Sequence, residues 1–263
     1  MLKNNMNFIC QREALDNLKL LAEHNQHGVL IVGDPGSGKT YLARQYAKML
    51  SIPDFYIINP VMSDLKAMIE GCVSNGTSVV LCIEDLDSGV VQTAYPLLKL
   101  IEDCPSFIYI VVTCNNLYSI PDTIPSRCAL VTINPPTATD ILEYAKTQEQ
   151  DAACYKHKVW SCVRSFTDAD TAIKFSPDHL KYFDSLPAIL NAKNSSVSNT
   201  SWKLTHYDDN SEIPVVFVLR YLMLVLTGHR RTACIECLND LADSRISQNA
   251  VLSKFIFEVK YTE

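Results

Sequence analysis

The run GVLIVGDPGSGKT at residues 28–40 constrains this chain more than any other part of its sequence. A short β-rich segment ends at Gly33, and a helical pattern covers residues 38–50. In such a strand–loop–helix context, the backbone N–H groups of a glycine-rich loop converge on phosphate oxygens, and the next helix adds its positive N-terminal end. The run therefore predicts a phosphate-binding loop that holds a nucleotide.

This loop supplies groups for a nucleotide and for a metal ion. Lys39 brings a positive point charge to the phosphates, and the Thr40 hydroxyl is a typical Mg²⁺ ligand. The predicted nucleotide-binding residues are Asp34, Pro35, Gly36, Ser37, Gly38, Lys39 and Thr40. The expected cofactors are therefore a nucleotide and Mg²⁺.

An acidic motif follows the apolar run SVVLCI at residues 78–83. A nucleotide-hydrolysing site needs an acidic residue at the end of a neighbouring strand, which holds the metal and orients the attacking water. Glu84 and Asp85 are predicted to fill these roles, with Glu84 as a Mg²⁺ ligand. Asp87 fits the cap of a following helix.

Apolar strands alternate with helices through the first half of the chain. The predicted strands are residues 28–32, 55–58, 78–83, 107–113 and 129–133. The predicted helices are residues 11–25, 38–50, 61–72 and 89–102. Five apolar strands separated by helices indicate an α/β fold with a parallel sheet covered on both faces.

The pattern changes near residue 135, because strand-like runs disappear there. Residues 1–135 are predicted to form the nucleotide-binding domain, and residues 136–190 a small helical lid. Residues 191–211 are polar and irregular, which predicts a loop or linker. Residues 212–263 are predicted to be a helical region.

The charge and the hydropathy of the chain argue against indiscriminate nucleic-acid binding and against a membrane protein. The net charge of −6 argues against indiscriminate coating of nucleic acid, so any DNA contact is expected to be local. The N-terminus has no apolar signal segment, and the apolar run at residues 213–226 is too short to span a membrane and contains Arg220. A cytoplasmic protein without a membrane partner is expected.

The chain has ten cysteines, several of them inside apolar runs, which suits a reducing compartment. Cys234 and Cys237 form a single CxxC motif without a second pair at zinc-like spacing. We therefore assign no metal-binding cysteines.

Two further motifs complete a family pattern. The run IVVTCNN ends at Asn116, and IPSRC contains Arg127. With GDPGSGKT and IEDLD before them, in this order, the chain resembles the AAA+ ATPases. Within these it resembles clamp-loader subunits: replication factor C small subunits, the bacterial gamma and delta-prime subunits, and tailed-phage counterparts. The resemblance covers residues 7 to about 190. It implies that residues 136–190 are the lid and that residues 212–263 are a short collar.

The resemblance implies roles for particular residues. Asn115 is similar to the sensor 1 residue near the γ-phosphate. Alone, an arginine like Arg127 is most often a surface residue or an ion-pair partner; the resemblance implies an arginine finger that acts in a neighbouring subunit's ATP site. The family usually has Asp before Glu, so the Glu84–Asp85 order implies slow hydrolysis. Neither Arg164 nor Asp170 is assigned as the lid's sensor 2 residue.

The resemblance also implies a function, namely an ATP-binding and ATP-hydrolysing subunit that opens a sliding clamp and loads it on primer–template DNA. The implied partners are other clamp-loader subunits in a pentameric homo- or hetero-oligomer, the clamp and DNA, in the host cytoplasm if the gene is a phage gene. Lys66 and residues 88–92 are the candidate DNA contacts.

Three alternatives remain open at this point. One is a scaffold subunit like delta-prime, which keeps the finger but contributes little hydrolysis. Another is an AAA+ initiator or helicase loader. A P-loop kinase for small molecules is disfavoured, because the sequence has TCN and SRC motifs and no arginine-rich substrate lid.

Overall fold

The structure is a computed structural model of the chain. It describes residues 11–58, 71, 77–88, 97–103, 105–147, 154–192, 196–208, 211–242 and 246–261. The chain divides into two compact units. The first comprises Met1–Asp140 with Ser165–Thr167, and the second comprises Ile141–Arg164 with Asp168–Glu263.

A five-stranded sheet and helices that cover it make up the first unit. Its helices and strands are α1 (Arg12–Glu23), β1 (Gly28–Val32), α2 (Lys39–Met49), β2 (Asp54–Ile58), β3 (Val79–Ile83), β4 (Ile108–Cys114) and β5 (Ala129–Thr132). Residues 97–102 are also helical. Each predicted strand lies within two residues of an observed one, because each is an uninterrupted apolar run.

All strands of this sheet are parallel, in the order β2-β3-β4-β1-β5. Successive side chains of β3 point to opposite faces of the sheet, and each face packs in its own hydrophobic core. Leu81 and Ile83 belong to one core, and Val80 and Cys82 belong to the other. The predicted parallel α/β class is therefore confirmed. Because the strands are parallel, the loops after β1, β3 and β4 meet at one edge.

The second unit is mainly helical. The boundary between the units falls within α3 (Ala138–Lys146). Helix α4 (Phe166–Ala172) begins with two residues of the first unit. The elements that follow it are α5 (Pro177–Asn191), α6 (Val197–Thr205), β6 (His206–Asp208), β7 (Ser211–Glu212), α7 (Val215–Val225), α8 (His229–Leu241) and α9 (Gln248–Tyr261). None of the helices in the described ranges is long and apolar enough to cross a membrane.

Two predictions for this half need correction. The polar run 191–211 was predicted to be irregular, but it contains α6 and the strand β6. Ser196 begins α6 by accepting the N–H of Asn199, and Thr200 and Leu204 are buried one turn apart. Because α6 buries so few apolar side chains, the helical spacing of apolar residues is hard to recognise in its sequence.

The predicted lid and collar also do not form separate cores. One apolar cluster runs through the second unit from Ile141 to Val259, and it includes Phe183, Phe217 and Phe255. Helix α7 places six buried residues in this cluster, among them Phe217 and Leu222, so it joins the segments before and after it into one packed body.

Candidate functional site

The glycine-rich loop lies between β1 and α2, at the carboxyl edge of the sheet. Gly36 has φ +73° and Gly38 has φ +98°, both in the left-handed region that side chains disfavour. Gly38 immediately precedes α2, so the loop turns directly into the first helical N–H groups. This geometry fits the predicted phosphate-binding loop.

Lys39 is held at the centre of this loop. Its side chain is 7% exposed, and Nζ donates hydrogen bonds to the carbonyl oxygens of Gly33 (3.0 Å) and Asp34 (3.2 Å). Nζ also donates to Oδ1 of Asn115, at 2.7 Å. The two residues are 76 positions apart in sequence, and the adjacent ends of β1 and β4 bring them together.

The two predicted metal ligands are direct neighbours. The Thr40 hydroxyl donates a hydrogen bond to Oε1 of Glu84, and the backbone N–H of Glu84 donates to Ile58 O at 3.0 Å. A hydroxyl and a carboxylate are hard oxygen donors of the kind that Mg²⁺ prefers. This donor pair therefore fits a Mg²⁺ ion bound beside the phosphate loop.

Asp85 adopts an unusual backbone conformation. Its φ is +44°, and its backbone N–H donates to Oγ1 of Thr113 at 3.0 Å. The carboxylate is 54% exposed, and Oδ1 lies 3.7 Å from Lys39 Nζ. A strained non-glycine residue next to a phosphate loop is typical of a functional position.

Asp87 has a role that the sequence did not reveal. Its Oδ2 accepts the backbone N–H groups of Asn115 (3.0 Å) and Asn116 (3.2 Å), and Oδ1 accepts from Asn115 Nδ2 at 3.4 Å. Asp87 thus fixes Asn115, which in turn contacts Lys39. The only signal in the sequence was a third carboxylate three residues after Glu84, which fitted a helix cap equally well.

Ser37 provides an independent test of whether a nucleotide fits. Its side chain is fully buried, and Oγ has no hydrogen-bond partner within the described part of the chain. Buried hydroxyls are nearly always hydrogen-bonded in folded proteins. An unpaired hydroxyl inside the phosphate loop therefore fits a ligand that brings acceptor oxygens.

The segment Ser165–Thr167 lies against the phosphate loop and belongs to the first unit. The N–H of Phe166 donates to Gly36 O at 3.1 Å, and a Cβ on Gly36 would lie 2.7 Å from Ser165 Oγ. No motif in the sequence indicated this contact. Asp170, which was considered for sensor 2, instead accepts a hydrogen bond from Tyr144.

Arg127 lies at the opposite edge of the sheet from the phosphate loop. It ends a short turn before β5, and a Cβ on Gly28, the first residue of β1, would lie 3.3 Å from its carbonyl oxygen. The phosphate loop begins only after the five residues of β1, about 16 Å further along, since each strand residue advances about 3.3 Å. Arg127 is therefore not part of the site that contains Lys39.

Comparisons with known proteins identify relatives among clamp-loader subunits. A family model described as DNA polymerase III, delta subunit, matches residues 57–137, less than a third of the chain. The sliding-clamp-loader large subunits of Enterobacteria phage T4 and Escherichia phage RB69 are 27% and 26% identical to this chain over 127 residues. The predicted resemblance to clamp-loader subunits is confirmed. The matched region is 46% of this chain and 40% of each phage relative.

Solved structures share the fold of this chain. The gamma subunit-related protein of DNA polymerase III from Thermotoga maritima has a TM-score of 0.58 and 14% identity, covering 94% of this chain and 98% of its own. The RuvB Holliday junction branch migration motor of the same organism has a TM-score of 0.52 and 17% identity, covering 94% of this chain and 83% of its own. At these identities the likeness establishes the fold alone.

Within this fold, the structure brings together most of the predicted site. Lys39, Thr40, Glu84, Asp85 and Asn115 surround the end of the phosphate loop, and Arg127 does not. Lys66 and residues 89–92, the candidate DNA contacts, lie outside the described residues.

The two cysteines of the CxxC motif lie on α8, and both side chains are buried. Burial raises the pKa of Cys234 to about 12 and that of Cys237 to about 11. Metal-binding cysteines are thiolates, so this environment disfavours metal binding.

Proposed function

We propose that this chain is an ATP-binding and ATP-hydrolysing subunit of a DNA sliding-clamp loader. The observation that carries the proposal is the separation between the phosphate loop and Arg127. The phosphate loop and its acidic residues lie at one edge of the sheet, and the SRC arginine lies at the other. Such a chain can therefore serve two different nucleotides. That arrangement suits a subunit with neighbours on both sides.

Each residue of the site has a role in this proposal. Lys39 and the loop N–H groups bind the β- and γ-phosphates, and Thr40 and Glu84 hold Mg²⁺. When bound, Mg²⁺ neutralises charge on the phosphate oxygens. Asp85 orients the attacking water, and Asn115, fixed by Asp87, holds Lys39 in position. Because the Asp85 side chain is one methylene shorter than the usual glutamate, we expect slow hydrolysis.

Arg127 acts on the neighbouring subunit's nucleotide. A guanidinium stabilises charge on the phosphoryl group in the transition state, and such fingers raise hydrolysis by about 10³- to 10⁵-fold. Hydrolysis then depends on assembly, since no subunit completes its own site.

The proposed partners follow from the relatives. The two phage proteins are named as sliding-clamp-loader large subunits. For this chain we infer a pentameric assembly with other loader subunits, a sliding clamp, and primer–template DNA held by local contacts that include Lys66 and residues 88–92. The assembly works in the cytoplasm of the host cell.

Mixing two inactive variants tests the proposal. In the assembly with clamp and primed DNA, Arg127→Ala leaves ATP binding intact and lowers ATP turnover sharply, whereas Asp85→Asn blocks turnover at its own subunit's site. When the two variants are mixed, part of the turnover returns. The reason is that some interfaces then combine an intact Asp85 site on one subunit with an intact Arg127 on its neighbour. Arg231→Ala, an exposed arginine of α8, is the matched control.

The scaffold alternative rests on Asp85, whose shorter side chain suits a site that binds ATP without hydrolysing it. Under that alternative, Asp85→Asn leaves the turnover of a mixed assembly unchanged and Arg127→Ala still lowers it. Absence of rescue in an assembly that is shown to contain adjacent copies of this chain contradicts the finger acting in trans.

A further inference from the structure

The guanidinium of Arg127 is held within its own chain. Nε donates to Oε1 of Glu102 at 2.5 Å. Nη1 donates to Thr123 O at 3.0 Å and to Ser126 Oγ at 3.3 Å. A guanidinium has five N–H donors. The two on Nη2 have no partner among the residues that the structure describes, so they are the donors left for another molecule.

Glu102 stands on an anchored element. It ends the helical residues 97–102, in which Leu97 and Leu100 are buried against the sheet. The Glu102 side chain is 49% exposed, and that of Arg127 is 38% exposed. The pair is therefore accessible from outside the subunit, while the backbone that carries Glu102 is fixed by the core.

We propose that Glu102 is a positioning residue for Arg127, and this inference rests on the proposed finger in trans. A guanidinium is planar, so contacts at Nε and Nη1 fix the plane and the direction in which Nη2 points. Arg127 thereby loses most of its rotamer freedom before the neighbouring nucleotide arrives. Such preorganisation leaves less entropy to be lost in the transition state.

The position and the charge of Glu102 have opposite effects on the finger. The carboxylate holds Arg127 in place, but it also offsets part of the positive charge that would attract a phosphate. Glu102→Gln separates these effects, because it keeps a carbonyl oxygen that can accept from Nε and removes the negative charge. Glu102→Ala removes both the acceptor and the charge.

The experiment measures ATP turnover of the full assembly with clamp and primed DNA. Glu102→Ala lowers kcat by about 10- to 100-fold, the effect expected when a catalytic group is misplaced by about 1 Å. The affinity of each variant for a fluorescent ATP analogue stays unchanged, because Glu102 is remote from its own subunit's phosphate loop. Glu102→Gln keeps most of the turnover, and Glu102→Asp gives an intermediate value. Glu143→Ala, an exposed glutamate of α3, is the control.

A double variant tests whether Glu102 acts through Arg127. Glu102→Ala combined with Arg127→Ala is expected to turn over ATP as slowly as Arg127→Ala alone. If the combination is slower still, Glu102 acts on something else and the inference is wrong. Equal melting temperatures of Glu102→Ala and the unchanged protein exclude a folding defect, and Glu102→Asp provides the same comparison if the alanine variant is unstable.

The remaining outcomes separate this inference from the proposed function. If Arg127→Ala has normal turnover, the finger itself is wrong. If Arg127→Ala is slow and Glu102→Ala is as fast as the unchanged protein, only the positioning role fails, and the pair is an ordinary surface ion pair. If Glu102→Ala and Glu102→Gln both turn over faster, Glu102 restrains the finger, which overturns the inference.

Discussion

The Thr40 hydroxyl donates a hydrogen bond to Oε1 of Glu84, and this contact joins the first turn of α2 to the end of β3. A hydroxyl and a carboxylate are oxygen ligands of the kind that Mg²⁺ prefers. Thr40 and Glu84 would hold the ion in the proposed site, and each of them is carried by a different element of the first unit.

Thr40→Val tests this metal site, because valine keeps the shape of threonine and removes the oxygen. We expect the affinity for ATP in excess Mg²⁺ to fall by about tenfold, equivalent to roughly 1.4 kcal/mol. With EDTA present, the variant and the unchanged protein should bind the nucleotide equally. Titration of Mg²⁺ with a fluorescent ATP analogue measures both. Thr132→Val, at an exposed position of β5, is the control; an unshifted Mg²⁺ titration in Thr40→Val would contradict the assignment.

Lys39→Ala should abolish nucleotide binding while the protein remains folded. Nζ lies at the centre of the loop, where a phosphate needs its charge. The change also leaves two loop carbonyls without a donor, which costs roughly 1–3 kcal/mol of stability. Equilibrium binding and thermal unfolding measure the two effects. Lys48→Ala, exposed near the other end of α2, should change neither. Unchanged ATP affinity in Lys39→Ala would remove the basis of the proposed function.

Gly36→Ala should weaken both folding and nucleotide binding. A left-handed conformation costs a non-glycine residue about 1–2 kcal/mol, and the new Cβ would also lie 2.7 Å from Ser165 Oγ. Gly71→Ala is the matched control, because a Cβ at Gly71 meets no atom within 4 Å. Denaturant unfolding measures the stability of each variant, and equilibrium ATP binding measures its nucleotide affinity. Equal stability of the two variants would show that Ser165 does not pack on the loop.

Asp168→Ala should destabilise the second unit. Arg220 Nη1 donates to Asp168 Oδ2 at 2.7 Å and to Cys162 O at 3.0 Å, and both side chains of the ion pair are less than a quarter exposed. Removal of the acid leaves a partly buried charge, at a cost of about 2–3 kcal/mol. Urea unfolding measures this loss. Asp178→Ala, which breaks an exposed pair with Lys181, should have a much smaller effect. Replacing Arg220 by leucine as well should recover stability, and a further loss would contradict this account.

The buried thiols should be unreactive at pH 8. Burial raises the pKa of Cys82 to about 12 and that of Cys162 to about 11, so both stay protonated, and only the thiolate reacts. The unfolded chain releases these protons near pH 9, so stability should fall as the pH rises from about 9 to 11. Alkylation with iodoacetamide, mapped by mass spectrometry with and without urea, tests the first point. Labelling of Cys82 in the folded protein would contradict its burial.

The sequence was sufficient to predict the sheet and which residues the structure brings together at the candidate nucleotide site. The apolar strands are continuous, and parallel strands place their carboxyl ends together, so Lys39, Glu84 and Asn115 had to meet. Asp87 was missed because a carboxylate that binds the backbone of another strand's loop has no signature in sequence. Glu102 was also missed, because it is 25 residues from Arg127 in sequence and only the fold brings the two side chains together.

The strand that carries the phosphate loop pairs with β4 and β5, the last two strands of the sheet in chain order. During translation, β1 leaves the ribosome long before either partner has been synthesised. Until Thr132 has emerged, one side of β1 has no strand to pair with. We therefore expect that nascent chains that end before β4 do not bind ATP.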